Sequence, residues 1–81
     1  MPARMEPDLT VDATGAACPV PIIEIARAMK QAPPGALVLL LSSDPGVEPD
    51  VRAWCRATGH ALERFEAEGA VFRAWVRKAG R

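Results

Sequence analysis

Six consecutive apolar residues, Ala36-Leu37-Val38-Leu39-Leu40-Leu41, constrain this chain more than any other stretch. A half-buried strand alternates in polarity and an amphipathic helix repeats its apolar positions every three to four residues, but this run does neither. Pro33-Pro34-Gly35 precedes it and Ser42-Ser43-Asp44-Pro45-Gly46 follows, so it reads as a strand buried on both sides or nearly so, the central strand of a sheet. The rest of the chain must cover it. With 81 residues in all, that means one small domain, near the lower limit at which a single core holds without staples.

The flanking segments supply the cover. Leu9 and Val11 alternate with Thr10 and Asp12, a half-buried strand that Thr14-Gly15 ends. From Pro19 to Gln31 the residues Ile22, Ile25, Ala26 and Met29 fall at i, i+3, i+4 and i+7, one apolar helical face, with Glu24, Arg27 and Lys30 turned away. A second helix carries Val47, Val51, Trp54, Cys55 and Thr58 on its apolar face; Pro49 places its regular start near that residue and Gly59 caps it. His60 to Ala67 and Ala70 to Lys78 then read as two strands joined by a hairpin turn at Glu68-Gly69. The order is β-α-β-α-β-β. It predicts an α+β two-layer sandwich, a mixed four-stranded sheet with both helices on one face. Residues 1–7 read as a flexible tail without an apolar leader segment, and 8–79 as a single domain.

The chemistry is expected at Cys18-Pro19-Val20-Pro21. Prolines are tolerated in a helix's first turn, where the N–H they lack has no partner to lose, so this pair points to a helix starting at or near Pro19. Cys18 then falls at the N-cap. Unpaired amides and the macrodipole favour negative charge there, which predicts a thiol that ionises more readily than a free cysteine. The alternative is a small buried hydrophobe in a tight turn. No second cysteine stands at Cys-x-x-Cys spacing, and no residue of the motif is a general base.

Ten basic and ten acidic residues cancel, so no global field attracts nucleic acid or an anionic membrane. No apolar run is long enough to span a bilayer. Two cysteines without a leader segment suit free thiols in a cytoplasmic setting. Cys18, Cys55 and His60 do not make a zinc pattern, and neither metal nor cofactor is expected.

The combination resembles the TusA/SirA-like family of small sulfur-carrier proteins from about Leu9 to Lys78. The resemblance rests on Asp12-Ala-Thr-Gly15 followed by Cys-Pro-x-Pro, the Pro34-Gly35 turn, the apolar strand, Asp44-Pro45, the stretch from Asp50 to Cys55, Gly59-His60 and the closing Val76-Arg77-Lys78. It implies that Cys18 accepts a persulfide sulfur from a donor protein of cysteine desulfurase or rhodanese type and passes it to an acceptor protein, in tRNA thiolation, sulfur oxidation or cofactor biosynthesis. Such a protein is a sulfurtransferase-type carrier rather than a stand-alone enzyme. Gly15, Pro19, Val20 and Pro21 would shape the site. Val20 stands where some members carry glutamate, so a charged partner contact is expected to be absent. The other reading is a regulatory interaction module in which Cys18 is structural or a redox switch.

Other residues carry less. Asp44 and Asp50, at or near the start of the second helix, suit a partner-binding rim or a turn former and a first-turn acid. Cys55 and Trp54 are expected in the core, and His60 at a strand end. Trp75 lies on the opposite strand face from Phe72 and Val76; with Val71 it would form an apolar patch if that face is open, for a partner or for weak self-association of a monomer. Arg73, Arg77, Lys78 and Arg81 lack interleaved aromatics, so direct nucleic-acid binding is not expected.

Overall fold

The apolar run becomes a central strand. In the computed structural model, which describes residues 6–80, the elements are β1 (Leu9–Ala13), α1 (Val20–Gln31), β2 (Leu37–Ser42), α2 (Val47–Thr58), β3 (Ala61–Glu68) and β4 (Val71–Arg77). The sheet order is β1-β2-β4-β3, with β1 parallel to β2 and the other pairs antiparallel. The architecture is therefore the expected mixed four-stranded sheet in a two-layer sandwich. The expected N-terminal tail lies mostly outside the described residues; Glu6 and Pro7 belong to neither helix nor strand.

Register explains why β2 needs no polar alternation. Val38, Leu40 and Ser42 stand opposite Val76, Ala74 and Phe72 of β4, and Leu9, Val11 and Ala13 of β1 flank the same three residues on the other side. Val38, Leu40, Ala74 and Val76 form one core with Ile25 and Met29 of α1 and Val47, Val51 and Cys55 of α2. Both helices pack there. The remaining β2 residues, Leu37, Leu39 and Leu41, alternate onto the other face, opposite Arg77, Trp75 and Arg73.

That second face is closed by its own charges rather than left as an apolar patch. Trp75 is only 8% exposed, and the Arg64 guanidinium lies 5.5 Å from its ring centroid. Arg64 pairs with Glu66, Arg73 with Glu68 at 2.8 Å and Arg77 with Glu63 at 2.7 Å. The Arg64 side chain thus lies over the tryptophan while its charge stays wet. The condition set for an apolar Trp75–Val71 surface is therefore not met at Trp75, while Val71 is half-buried.

Element boundaries differ by small, interpretable amounts. α2 starts at Val47, two residues before Pro49, because a proline in the first turn has no intrahelical bond to lose. The hairpin loop is Gly69-Ala70, since Glu68 pairs with Val71; Gly69 at φ 60° supplies the positive φ that a two-residue turn needs at its first position. Gly59, at φ 86°, ends α2 by donating its N–H to Cys55 O at 2.9 Å.

Candidate functional site

Two loops at one end of the sheet build the site, where β1 and β2 finish and both helices begin. After β1 the chain turns at Thr14-Gly15: Thr14 donates its amide and hydroxyl to Asp12 Oδ1 at 3.0 and 2.6 Å, and Gly15 takes φ 86°. The Gly15 N–H donates to Ser43 Oγ at 2.8 Å, which ties this turn to the loop after β2. In that loop the Asp44 N–H donates to buried Ser42 Oγ at 3.0 Å, and Asp44 O accepts from Val47 N–H at 3.0 Å. The two loops therefore hold each other. Ser42 and Ser43 were read from sequence only as loop chemistry; the polar residue closing an apolar run was the available signal.

Cys18 is exposed on this platform. Its peptide bond to Pro19 is cis, and the Val20 N–H closes a tight turn onto Ala17 O at 2.9 Å. Pro19 itself occupies the N-cap position of α1 and its carbonyl accepts from Ile22 and Ile23. Cys18 consequently sits one residue ahead of the N-cap, correcting the expected placement, because the turn from Ala17 to Val20 intervenes. Pro21 is buried, while Val20 and Ile23 at the start of α1 are 40% and 46% exposed.

The larger correction concerns charge. Cys18 Sγ donates to Asp50 Oδ2 at 2.6 Å, and the Cys18 N–H points to Asp44 Oδ2 at 3.3 Å. The hydrogen bond to Asp50 holds the proton on sulfur and, with burial and the charges of Asp50 and Asp44, pushes the thiol above its ordinary pKa. The start of α1 favours the anion, and the two carboxylates act against it. Asp44 and Asp50 are thus brought to the thiol itself, Asp44 facing the Cys18 amide and Asp50 the sulfur. No general base stands inside the Cys-Pro-Val-Pro motif, but the next helix supplies a carboxylate within hydrogen-bond reach.

Sγ and one carboxylate oxygen each from Asp44 and Asp50 lie within 4.8 Å of one another, close enough to ligate one divalent ion. A single thiolate with two solvated carboxylates is a mixed set that favours no particular metal. Cys55 is buried at 6% exposure, where desolvation pushes its thiol up, and His60 packs at 5.3 Å from Trp54 and accepts the Ala79 N–H at 3.0 Å. Neither approaches Cys18.

Two cavities of about 260 and 280 Å³ flank His60 at the far end of the helices; Arg52, Arg56 and Leu62 line the first, Met29, Trp54 and Lys78 the second. Cys18 lines neither. The exposed thiol thus stands at a loop–helix junction of a small α+β protein, outside both hollows. A model of the family described as sulfurtransferase TusA matches residues 9–78, and the chain belongs to that family. It is 37% identical over 76 residues to the candidate sulfur carrier YrkF of Bacillus subtilis and 34% identical over 74 residues to the candidate sulfur carrier YrkI of the same organism. The alignments cover 94% and 91% of this chain, and 41% of YrkF against 99% of YrkI. A candidate sulfur carrier of Aquifex aeolicus is 31% identical over 94% of this chain and 39% of its own length, so the chain spans about two fifths of two of these relatives. The crystal structure of a SirA-like protein from Desulfitobacterium hafniense has the same fold, with TM-score 0.76 and 22% identity over 88% of this chain and 97% of that one.

Proposed function

We propose that the protein carries sulfur as a persulfide on Cys18, taking it from a donor protein and delivering it to an acceptor protein. The observation that carries this reading is the position of Cys18, exposed on a braced loop at the start of α1 within the stretch that matches the family. In acceptance, the Cys18 thiolate attacks the outer sulfur of the donor's persulfide. The new bond forms between the two sulfurs, the donor's S–S bond breaks, and the donor's inner sulfur leaves as a thiolate that takes up the proton lost by Cys18. Nothing is oxidised overall, and delivery is the same exchange in reverse roles. Gly15, Pro19, Val20 and Pro21 shape the loop, and exposed Val20 and Ile23 give the partner an apolar footing.

The experiment is intact-mass measurement after incubation with a cysteine desulfurase and cysteine. One or more added sulfur atoms are expected on the wild type and on Cys55→Ser, and none on Cys18→Ser. Sulfur retained by Cys18→Ser and lost from Cys55→Ser overturns the assignment.

A further inference from the structure

The charges that remain after ion pairing are unevenly placed: the Cys18 end holds acids alone, and the other end holds both signs. Glu24, Glu48, Glu63, Glu66 and Glu68 are each paired with an arginine. Among the described residues, Asp12, Asp44 and Asp50 form no ion pair and lie at the Cys18 end, where β1 finishes and α2 begins; Glu6 and Asp8 form none either and lie at the other end, before β1. Lys30, Arg56 and Lys78 form no ion pair either and lie at the opposite end, in or beyond the last turns of α1, α2 and β4. A chain of zero net charge thus presents a negative face around its thiol.

That face is built against the chemistry Cys18 has to perform. A thiol reacts as thiolate, yet Asp50 binds its proton at 2.6 Å and Asp44 adds a second carboxylate within the same 4.8 Å cluster. The first turn of α1 contributes no acidic residue, and Asp12 on the β1 side is occupied by Thr14. Among the described residues no cation forms an ion pair with either carboxylate; Arg52, close by on α2, is engaged by Glu48 at 2.8 Å.

We propose that Asp44 and Asp50 form an electrostatic latch on Cys18, opened when the sulfur-donor protein places a lysine or arginine against the two carboxylates. The proposal rests on the carrier reading and deepens it. The occupant is a persulfide-bearing protein with a basic rim around its reactive sulfur, selected by charge complementarity with Asp44 and Asp50 and seated on Val20 and Ile23. Its cation neutralises the field that holds the proton on Sγ, the start of α1 is left unopposed, and Cys18 becomes the thiolate that attacks. In solution the same thiol stays protonated. The latch therefore restricts thiolate formation to the docked complex and spares the exposed cysteine from adventitious alkylation or oxidation.

The test separates intrinsic reactivity from transfer. In chelator-containing buffer, the pH dependence of iodoacetamide alkylation of Cys18 is followed by intact mass for the wild type, Asp50→Asn, Asp44→Asn and the control Asp12→Asn. Sulfur acceptance from a cysteine-charged desulfurase is then measured at low and high ionic strength. Asp50→Asn is expected to move the alkylation midpoint to lower pH, raising the neutral-pH thiolate fraction about tenfold for each pH unit moved and the rate by a smaller factor in the same direction. The same variant is expected to accept sulfur more slowly from the protein donor and to lose most of the salt dependence seen in the wild type. Asp44→Asn shifts both readouts in the same directions by less, and Asp12→Asn moves neither. Asp44→Asn carries the test alone if Asp50→Asn fails to fold. An unchanged or raised alkylation midpoint, or a variant faster in both assays, overturns the latch while the carrier reading stands. A wild type that accepts no sulfur overturns the carrier reading, and the partner half of the proposal falls with it.

Discussion

Two isoleucines two positions apart on α1 should behave oppositely, and the contrast tests how the helix presents Cys18. Ile25 is 0% exposed in the core, whereas Ile23, near the start of α1, is 46% exposed. Ile25→Ala removes three buried carbons, worth about 2.4 kcal/mol at roughly 0.8 kcal/mol each. A residual hole of roughly 50 Å³ adds about 1 kcal/mol, for a total of about 3–4 kcal/mol. A domain of 81 residues has roughly 4–12 kcal/mol in all. The loss is therefore a large share of the whole, and it should lower Tm by about 12–30 °C at 4–8 °C per kcal/mol. Ile23→Ala removes the same atoms from the surface, and the better helix propensity of alanine offsets part of the change, leaving about 0.5 kcal/mol or less. Urea unfolding followed by tryptophan fluorescence reads both, since Trp75 is buried and Trp54 partly so. Function should invert the order: folded Ile25→Ala keeps its rate of sulfur acceptance, and Ile23→Ala slows it. Equal destabilisation by the two substitutions refutes the assignment of helix faces, and full transfer by Ile23→Ala refutes the apolar footing.

Three further outcomes follow from individual contacts. Alkylation of the native protein should stop at one thiol, Cys18, with Cys55 reacting only in denaturant; two adducts at equal rates under native conditions would show that the α2 core is not closed over Cys55. Gly59→Ala forces a side chain into φ 86° and should cost about 1–2 kcal/mol in the same urea assay, with no change in alkylation of Cys18; an unaffected midpoint would mean that α2 does not need its left-handed cap. Burial, reinforced by Lys78, lowers the pKa of His60, so the folded state binds its proton more weakly than the unfolded chain. The resulting stability is present above the unfolded pKa of 6.5 and is lost as pH falls through the lower folded value; His60→Gln should flatten the pH dependence of the urea midpoint in that acidic window, and an unchanged slope would remove the linkage.

The fold was legible because each element announces itself locally. The run from Ala36 to Leu41 left no role but an interior strand, and the i, i+3, i+4 spacing on α1 and α2 chose the faces that meet it. What sequence could not supply is which side chains meet across elements. Asp50 lies 32 residues from Cys18, and only the packing of α2 beside α1 puts its carboxylate on the sulfur. Trp75 was placed on the correct strand face, yet its burial depends on Arg64, which reaches it from β3 after the register shift between Leu62 and Arg64. A two-residue periodicity sorts strand residues by face; it does not say whether long charged side chains will lie down over one of those faces.

The expectation of an acidic thiol at a helix start and the finding of a thiol held protonated follow from the same physics, with different partners counted. A helix N-terminus favours an anion by about 0.3–1 kcal/mol at an exposed position. Cys18 stands one residue outside the cap, where that contribution fades, while Asp50 accepts its proton directly and Asp44 adds like charge beside its amide. The hydrogen bond and the nearby charges push the thiol up, opposite to the direction expected from the terminus alone. Among the described residues neither carboxylate is paired with a cation, so the balance is set by whatever charge is next brought to them. A partner that neutralises the pair returns Cys18 to the state its place in the sequence predicts. Reactivity is in that sense divided between two molecules: α1 supplies the preference for thiolate, and the docked protein removes what opposes it.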